Sequence, residues 1–151
     1  RVDGSQHMAL GGEDVEKLIR TPEISMAASD VASCPSVRRA LVALQQKIAA
    51  GCDVVMDGRD IGTRVLPDAD YKFFLTASDK VRAQRRYDEL KAKGESVTLQ
   101  EVLEDVRRRD EQDTTRAESP LTIADDATEV ETDDLGIDEV VTVLMALMGR
   151  F

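Results

Sequence analysis

Val54-Val55-Met56-Asp57-Gly58-Arg59-Asp60-Ile61-Gly62-Thr63 is the stretch on which the reading of this chain turns. Its three leading apolar residues predict a buried strand of a parallel sheet, and Asp57-Gly58 breaks that strand sharply. Open α/β sheets bind ligands at the carboxyl ends of their strands, so Arg59 and Asp60 leave the sheet where chemistry is expected. Side by side, an Arg and an Asp can hold an anion and accept from a donor on the same ligand. The plainer reading of these residues is a turn followed by a solvated charge pair.

Downstream, Tyr71 to Leu75 predicts a second strand. Ser78 then caps a helix that carries Val81, Tyr87 and Leu90 and stops at Gly94. Thr98 and Glu101 have the spacing of a capping box, and Val97 with Val102 that of a hydrophobic staple. The helix they start buries Val102, Leu103 and Val106 and then turns polar. Beyond that point Arg109, Asp113 and Arg116 fall at i, i+4 and i+7, on one face, either meeting a charged ligand or making ordinary intrahelical ion pairs. Ala127 to Thr132 predicts a last strand. Ile137, Val140, Val141, Leu144, Leu147 and Met148 predict an amphipathic closing helix, capped at Gly136 with Glu139 three residues on.

Upstream, Thr21-Pro22-Glu23 starts a helix with an N-cap, a proline at the first position and an acid in the first turn. Pro35 begins another, with Val37, Ala40, Leu41, Leu44 and Ile48 on one face, ending near Gly51. Ser29, Arg38 and Arg39 lie off the main apolar stripes. Gln6 to Leu10 reads as a short strand and Gly11-Gly12 as a turn; His7, the single histidine, reads as a surface or tag residue, with a functional role as the alternative. Strands alternating with helices predict an α/β fold with a parallel sheet.

A chain of 151 residues is most simply one domain with a core of its own. The net charge of −10 argues against a nucleic-acid partner, and no apolar run approaches the ~20 residues needed to span a bilayer. No secretory signal is visible, and two cysteines, Cys34 and Cys52, make no disulfide framework, so a reducing cytoplasm is the expectation. Against this acidic background the arginines gather at 82, 85, 86, 107, 108, 109 and 116. Such a local cluster suits a small polyanionic ligand; the alternative is a solvated helix face laced with ion pairs.

Ile19-Arg20-Thr21-Pro22-Glu23-Ile24-Ser25, Ala27-Ala28-Ser29, Asp57 to Thr63, and Arg108-Arg109-Asp110-Glu111-Gln112-Asp113 with Arg116 together resemble the bacterial cytidylate (CMP) kinases. The motifs occur in the family's order from roughly Leu10 to the C-terminus. The resemblance implies a three-layer, parallel-sheet nucleoside monophosphate kinase of the P-loop kinase type. Residues 1–33 would be part of the monophosphate-binding insertion and 34–151 the core, with a lid at about 82–116. It implies phosphoryl transfer from ATP to CMP or dCMP, with Mg²⁺. By the same resemblance Ser29, Arg38 and Asp60 read cytosine, Arg59 and Arg116 grip the CMP phosphate, and Arg109 and Asp113 hold the ribose. Arg59, Arg109 and Arg116 would be the catalytic arginines, and Arg85 would meet the nucleoside triphosphate.

Elementary chemistry agrees with those roles. Phosphoryl transfer needs positioning and charge neutralisation above all, and a guanidinium fork grips phosphate bidentately while staying charged. Asp60 offers the acceptor that cytosine's exocyclic amine requires, and Arg38 with Ser29 offer donors. Asp57 ends an apolar strand as a Walker-B acid would and could meet Mg²⁺ through water; a structural turn-capping aspartate explains it as well.

One family feature has no counterpart here: the Gly-rich GxxxxGK(S/T) loop that cradles ATP phosphates. The adjacent Gly11-Gly12 are followed by Glu13-Asp14, which would repel phosphate. The chain thus reads as the later part of a kinase, lacking the first strand and phosphate loop and nearly inactive alone, and as a monomer when complete. Two alternatives stay open: a module that binds a nucleoside monophosphate without catalysis, and a kinase acting on UMP or AMP.

Overall fold

Gly11 and Gly12, with φ of 59° and 90°, reverse the chain between β1 (Ala9–Leu10) and β2 (Glu13–Asp14). Positive φ at both central positions is what a tight hairpin between antiparallel strands demands, and only glycine meets it without strain. His7 Nδ1 meets Asp14 Oδ2 at 3.0 Å across the pair. The computed structural model describes residues 7–16, 18–19, 21–115 and 120–149, excluding the side chains at 22, 25, 29 and 33. Its Cα positions separate into two compact units, Arg1–Leu44 and Gln45–Phe151.

The first unit carries the hairpin, α1 (Pro22–Ser33) and the beginning of α2 (Pro35–Ala49). Thr21 Oγ1 accepts from the Ile24 amide at 3.3 Å, so the expected N-cap is in place. Cys34 bonds back to Val31 and then accepts from the Arg38 amide, ending one helix and opening the next within a single residue. The apolar stripe of α2 forms as expected, yet Leu41, Leu44 and Ile48 stay exposed.

In the second unit β3 (Phe73–Thr76) and β4 (Thr128–Glu131) form a two-stranded parallel pair with Phe73 opposite Thr128. A parallel pair requires a crossover. Here it is built by α3 (Asp79–Ala92) and α4 (Leu99–Thr115), a helical hairpin whose faces meet over Ala83, Leu90 and Val102, with Tyr87, Val97, Leu103 and Val106 packed around them. Ser78 Oγ accepts from the Val81 amide, Gly94 closes α3 with φ of 81°, and Thr98 and Glu101 exchange the bonds of a capping box. Each of these devices sits where its residue type predicts. α5 (Ile137–Leu147) follows β4, with the Gly136 amide donating to Glu139 at 2.7 Å. Among the described residues no helix is long and apolar enough to cross a membrane.

The largest departure from expectation lies at Val54-Val55-Met56. These residues form no strand, and Val55 is fully exposed at 102%. A strand exists only as a ladder, and among the described residues none pairs with this segment. An apolar run alone cannot supply the missing partner. The strand at 71–75 also begins later than expected, at Phe73, because β4 meets β3 only from there; Lys72 still contributes its carbonyl to the Thr128 amide at 2.9 Å.

Candidate functional site

Beyond Asp57 the chain enters a rare geometry. Residues Ile61–Val65 form a single π turn, in which Val65 donates to the Asp60 carbonyl at 3.2 Å and Leu66 to that of Ile61 at 2.7 Å. Such turns leave one residue more per turn than an α-helix and recur at functional sites. Gly58 makes the approach to it possible, because a Cβ there would stand 2.9 Å from Ile61 Cγ1. Val65 anchors the turn in the interior, and Asp60 is buried at 2% exposure immediately before it. The Arg59 side chain remains more than half exposed.

Arg59 Nε donates to Asp113 Oδ2 at 2.7 Å, joining two residues 54 positions apart. Asp113 stands on the last turn of α4 with its side chain 17% exposed. One turn earlier on the same helix, Arg109 is exposed, and its side chain makes no hydrogen bond or ion pair to another described residue. The Asp113 carbonyl also accepts from Leu121 at 2.7 Å, which ties the chain beyond α4 back to the same turn. Arg59, Asp60, Arg109 and Asp113 therefore all belong to the second unit, and the direct contact among them is Arg59 with Asp113. Ser29 and Arg38 belong to the first unit, on α1 and α2; the side chain of Ser29 and the whole of Arg116 lie outside the described residues.

Arg85 has a different setting. Its guanidinium donates to Thr132 Oγ1 at 3.1 Å, to the Leu135 carbonyl at 3.1 Å and, closely, to the Thr132 carbonyl. It thus binds the end of β4 and the turn before α5. Thr132 is itself buried, with Oγ1 donating to the Thr76 carbonyl at 3.0 Å. Asp57 is exposed, and among the described residues no group of three or more His, Cys, Asp or Glu side chains is arranged to hold a metal ion.

The arginine cluster resolves largely into ion pairs. Arg82 grips Asp110 with both terminal nitrogens, and the hydrogen bonds to that carboxylate, outweighing partial burial, hold the guanidinium above its usual pKa. The hydrogen bond from Arg107 keeps the Asp79 carboxyl below its ordinary range. Arg86 pairs with Glu89 and Arg108 with Asp105 on their own helices. Asp110 was not among the expected site residues. Its signal was present in the sequence: Asp79-x-x-Arg82 and Arg107-x-x-Asp110 are i,i+3 pairs of reversed charge order on facing helices.

Comparison with known proteins puts these motifs in context. The model of the family described as Cytidylate kinase matches residues 2–150. A cytidylate kinase of Caldanaerobacter subterraneus subsp. tengcongensis is 55% identical over 93% of this chain, covering 62% of its own length. One from Carboxydothermus hydrogenoformans is 51% identical over 98% of this chain and 67% of its own length. One from Bacteroides fragilis is 50% identical over 95% and 62%. The chain thus spans about two thirds of the length of these relatives. Its parallel β3–β4 pair with a helical crossover is the α/β arrangement expected of a P-loop-type monophosphate kinase. With a family match along almost the whole sequence and relatives about half identical to it, this chain belongs to the cytidylate kinase family.

Proposed function

We propose that these residues provide the monophosphate-binding side of an enzyme that transfers the γ-phosphoryl group of ATP to CMP or dCMP. The observation that carries the reading is the Arg59–Asp113 contact between two distant motif residues in a chain of this family. A phosphate oxygen of CMP is the nucleophile. It is largely ionised at neutral pH, since the second pKa of a phosphomonoester is about 6, so no general base is needed. As it bonds to the γ-phosphorus, the bond to the bridging oxygen breaks and ADP leaves with the electron pair.

Arg59 and Arg116 hold the acceptor phosphate, Arg109 and Asp113 the ribose, and Arg59, Arg109 and Arg116 neutralise charge as it develops. Arg85 belongs to the donor side. Ser29, Arg38 and Asp60 recognise cytosine. Asp60 accepts from an exocyclic amine, where uracil would present a second acceptor. A site built to accept that N–H rejects the analogue lacking it. Mg²⁺, bound with ATP, would supply charge neutralisation at the transferring phosphoryl group. A lone exposed Asp57 fits an ion held mainly by phosphates and waters, with one carboxylate behind a water. We read 1–33 as part of the monophosphate-binding insertion, 34–151 as the core and about 82–116 as the lid. The free, exposed Cys34 and Cys52 support a reducing cytoplasm, the net charge of −10 supports the lack of a nucleic-acid partner, and the complete protein is read as a monomer without a membrane partner.

Titration calorimetry with CMP, UMP and ATP tests the reading, beside an ADP-release assay. CMP binding at least roughly tenfold tighter than UMP binding is expected, with ADP release near background because these residues contain no GxxxxGK(S/T) pattern. Equal affinity for UMP, or no CMP binding at all, would overturn it.

A further inference from the structure

The side chain of Arg82 joins three elements. From the first turn of α3 its Nε donates to the Ala77 carbonyl just beyond β3, 2.9 Å away. Its two terminal nitrogens donate to both oxygens of Asp110 on α4, at 2.8 and 2.7 Å. Beside it, Arg107 of α4 donates to Asp79 of α3 at 2.7 Å. The short connection between α3 and α4 makes them antiparallel. A straight antiparallel register would set 79 opposite 110 and 82 opposite 107; the observed pairs follow the two diagonals instead. Sliding α4 in either direction along α3 therefore stretches one of them, and the planar Arg82 fork resists rotation of α4 about its axis.

Asp113 lies one turn beyond Asp110 on the same helix, so the phase at which Asp110 is held decides where Asp113 projects. We propose that Arg82, acting through Asp110, is a positioning residue: it sets the rotation and axial position of α4 against the end of β3 and so holds Asp113 at Arg59. The consequence for nucleotide affinity rests on the function proposed above; the mechanical consequence does not.

Two readouts separate the two. Spin labels at Asp68→Cys and Gln112→Cys, in a Cys34→Ser/Cys52→Ser background, report the distance from the π-turn region to the end of α4. Arg82→Lys keeps the charge and loses the fork, Asp110→Asn keeps the shape and loses the charge, and Asp110→Glu is the conservative rescue. The first two are expected to broaden the distance distribution roughly twofold and to weaken CMP binding about tenfold, with Asp110→Glu recovering part of both. Val102→Ala, which weakens the hairpin core without touching the fork, should lower the melting temperature and leave width and affinity at the parent values. An unchanged distribution in Arg82→Lys and Asp110→Asn overturns the clamp. Broadening without loss of affinity overturns its role in ligand positioning. A parent chain that binds no CMP refutes the proposed function, while the distance measurement still decides the clamp.

Discussion

Replacing Arg59 by alanine separates a ligand-binding arginine from a structural one. Arg59 and Asp113 meet at 2.7 Å with side chains 56% and 17% exposed. Opposite charges centred ~4 Å apart attract by about 4 kcal/mol at an effective dielectric near 20. Desolvation and the entropy of fixing a half-exposed arginine offset most of that, which leaves about 0.5–1 kcal/mol for folding. A charge-assisted contact with a phosphate contributes more, about 1.5–3 kcal/mol. Arg59→Ala is therefore expected to weaken CMP binding roughly 10- to 150-fold while lowering the melting temperature by only about 1–4 °C. Titration calorimetry and scanning calorimetry on the same preparation read both quantities. In the cycle with Asp113→Asn, the coupling for stability should come to about 0.5–1 kcal/mol. An Arg59→Ala protein that binds CMP like the parent but melts far lower would make Arg59 a strut, and the reasoning would fail.

Thr98→Ala removes the oxygen that accepts from the Glu101 amide at the start of α4, and should cost about 1 kcal/mol, read as a shift of the urea midpoint with unchanged slope. Val55→Lys should change stability by less than about 0.5 kcal/mol, since Val55 is fully exposed; a large loss would mean that it is buried in solution. Glu101 and Glu89, held below their ordinary value of 4.5 by bonds from Thr98 and Lys93, and Asp126, held below 3.8 by Lys72, carry depressed folded-state values. Their contribution is fully present above the unfolded values and is lost as pH falls through the folded ones. Stability measured against pH should hold down to about 4.5 and then fall, less steeply in Glu101→Gln; a stability that rises below pH 4 would reverse the sign of the argument.

Local chemistry was legible in the residues themselves. Thr21, Ser78, Gly94, the Thr98–Glu101 box and Gly136 stand where their caps and stops were expected, because such devices act within a few residues of backbone. The family was legible for a related reason: its motifs are short runs of residue types in a set order, readable without coordinates. The π turn at Ile61–Val65 was not, since residue type alone does not distinguish i+5 from i+4 bonding.

Pairings between distant groups needed three dimensions. Arg109, Asp113 and Arg116 could be placed on one helix face by counting, but the Arg59–Asp113 contact depends on where α4 is held, and the Arg82–Asp110 fork depends on two helices packing at one register. The apolar run Val54-Val55-Met56 shows the same limit from the other side: residue type proposes a strand, and a neighbouring backbone must accept its hydrogen bonds. Side-chain chemistry and short-range backbone bonding are properties of the sequence alone. Ladder partners, helix register and which arginine finds which carboxylate are decided by tertiary structure, because they depend on distances between residues far apart along the chain.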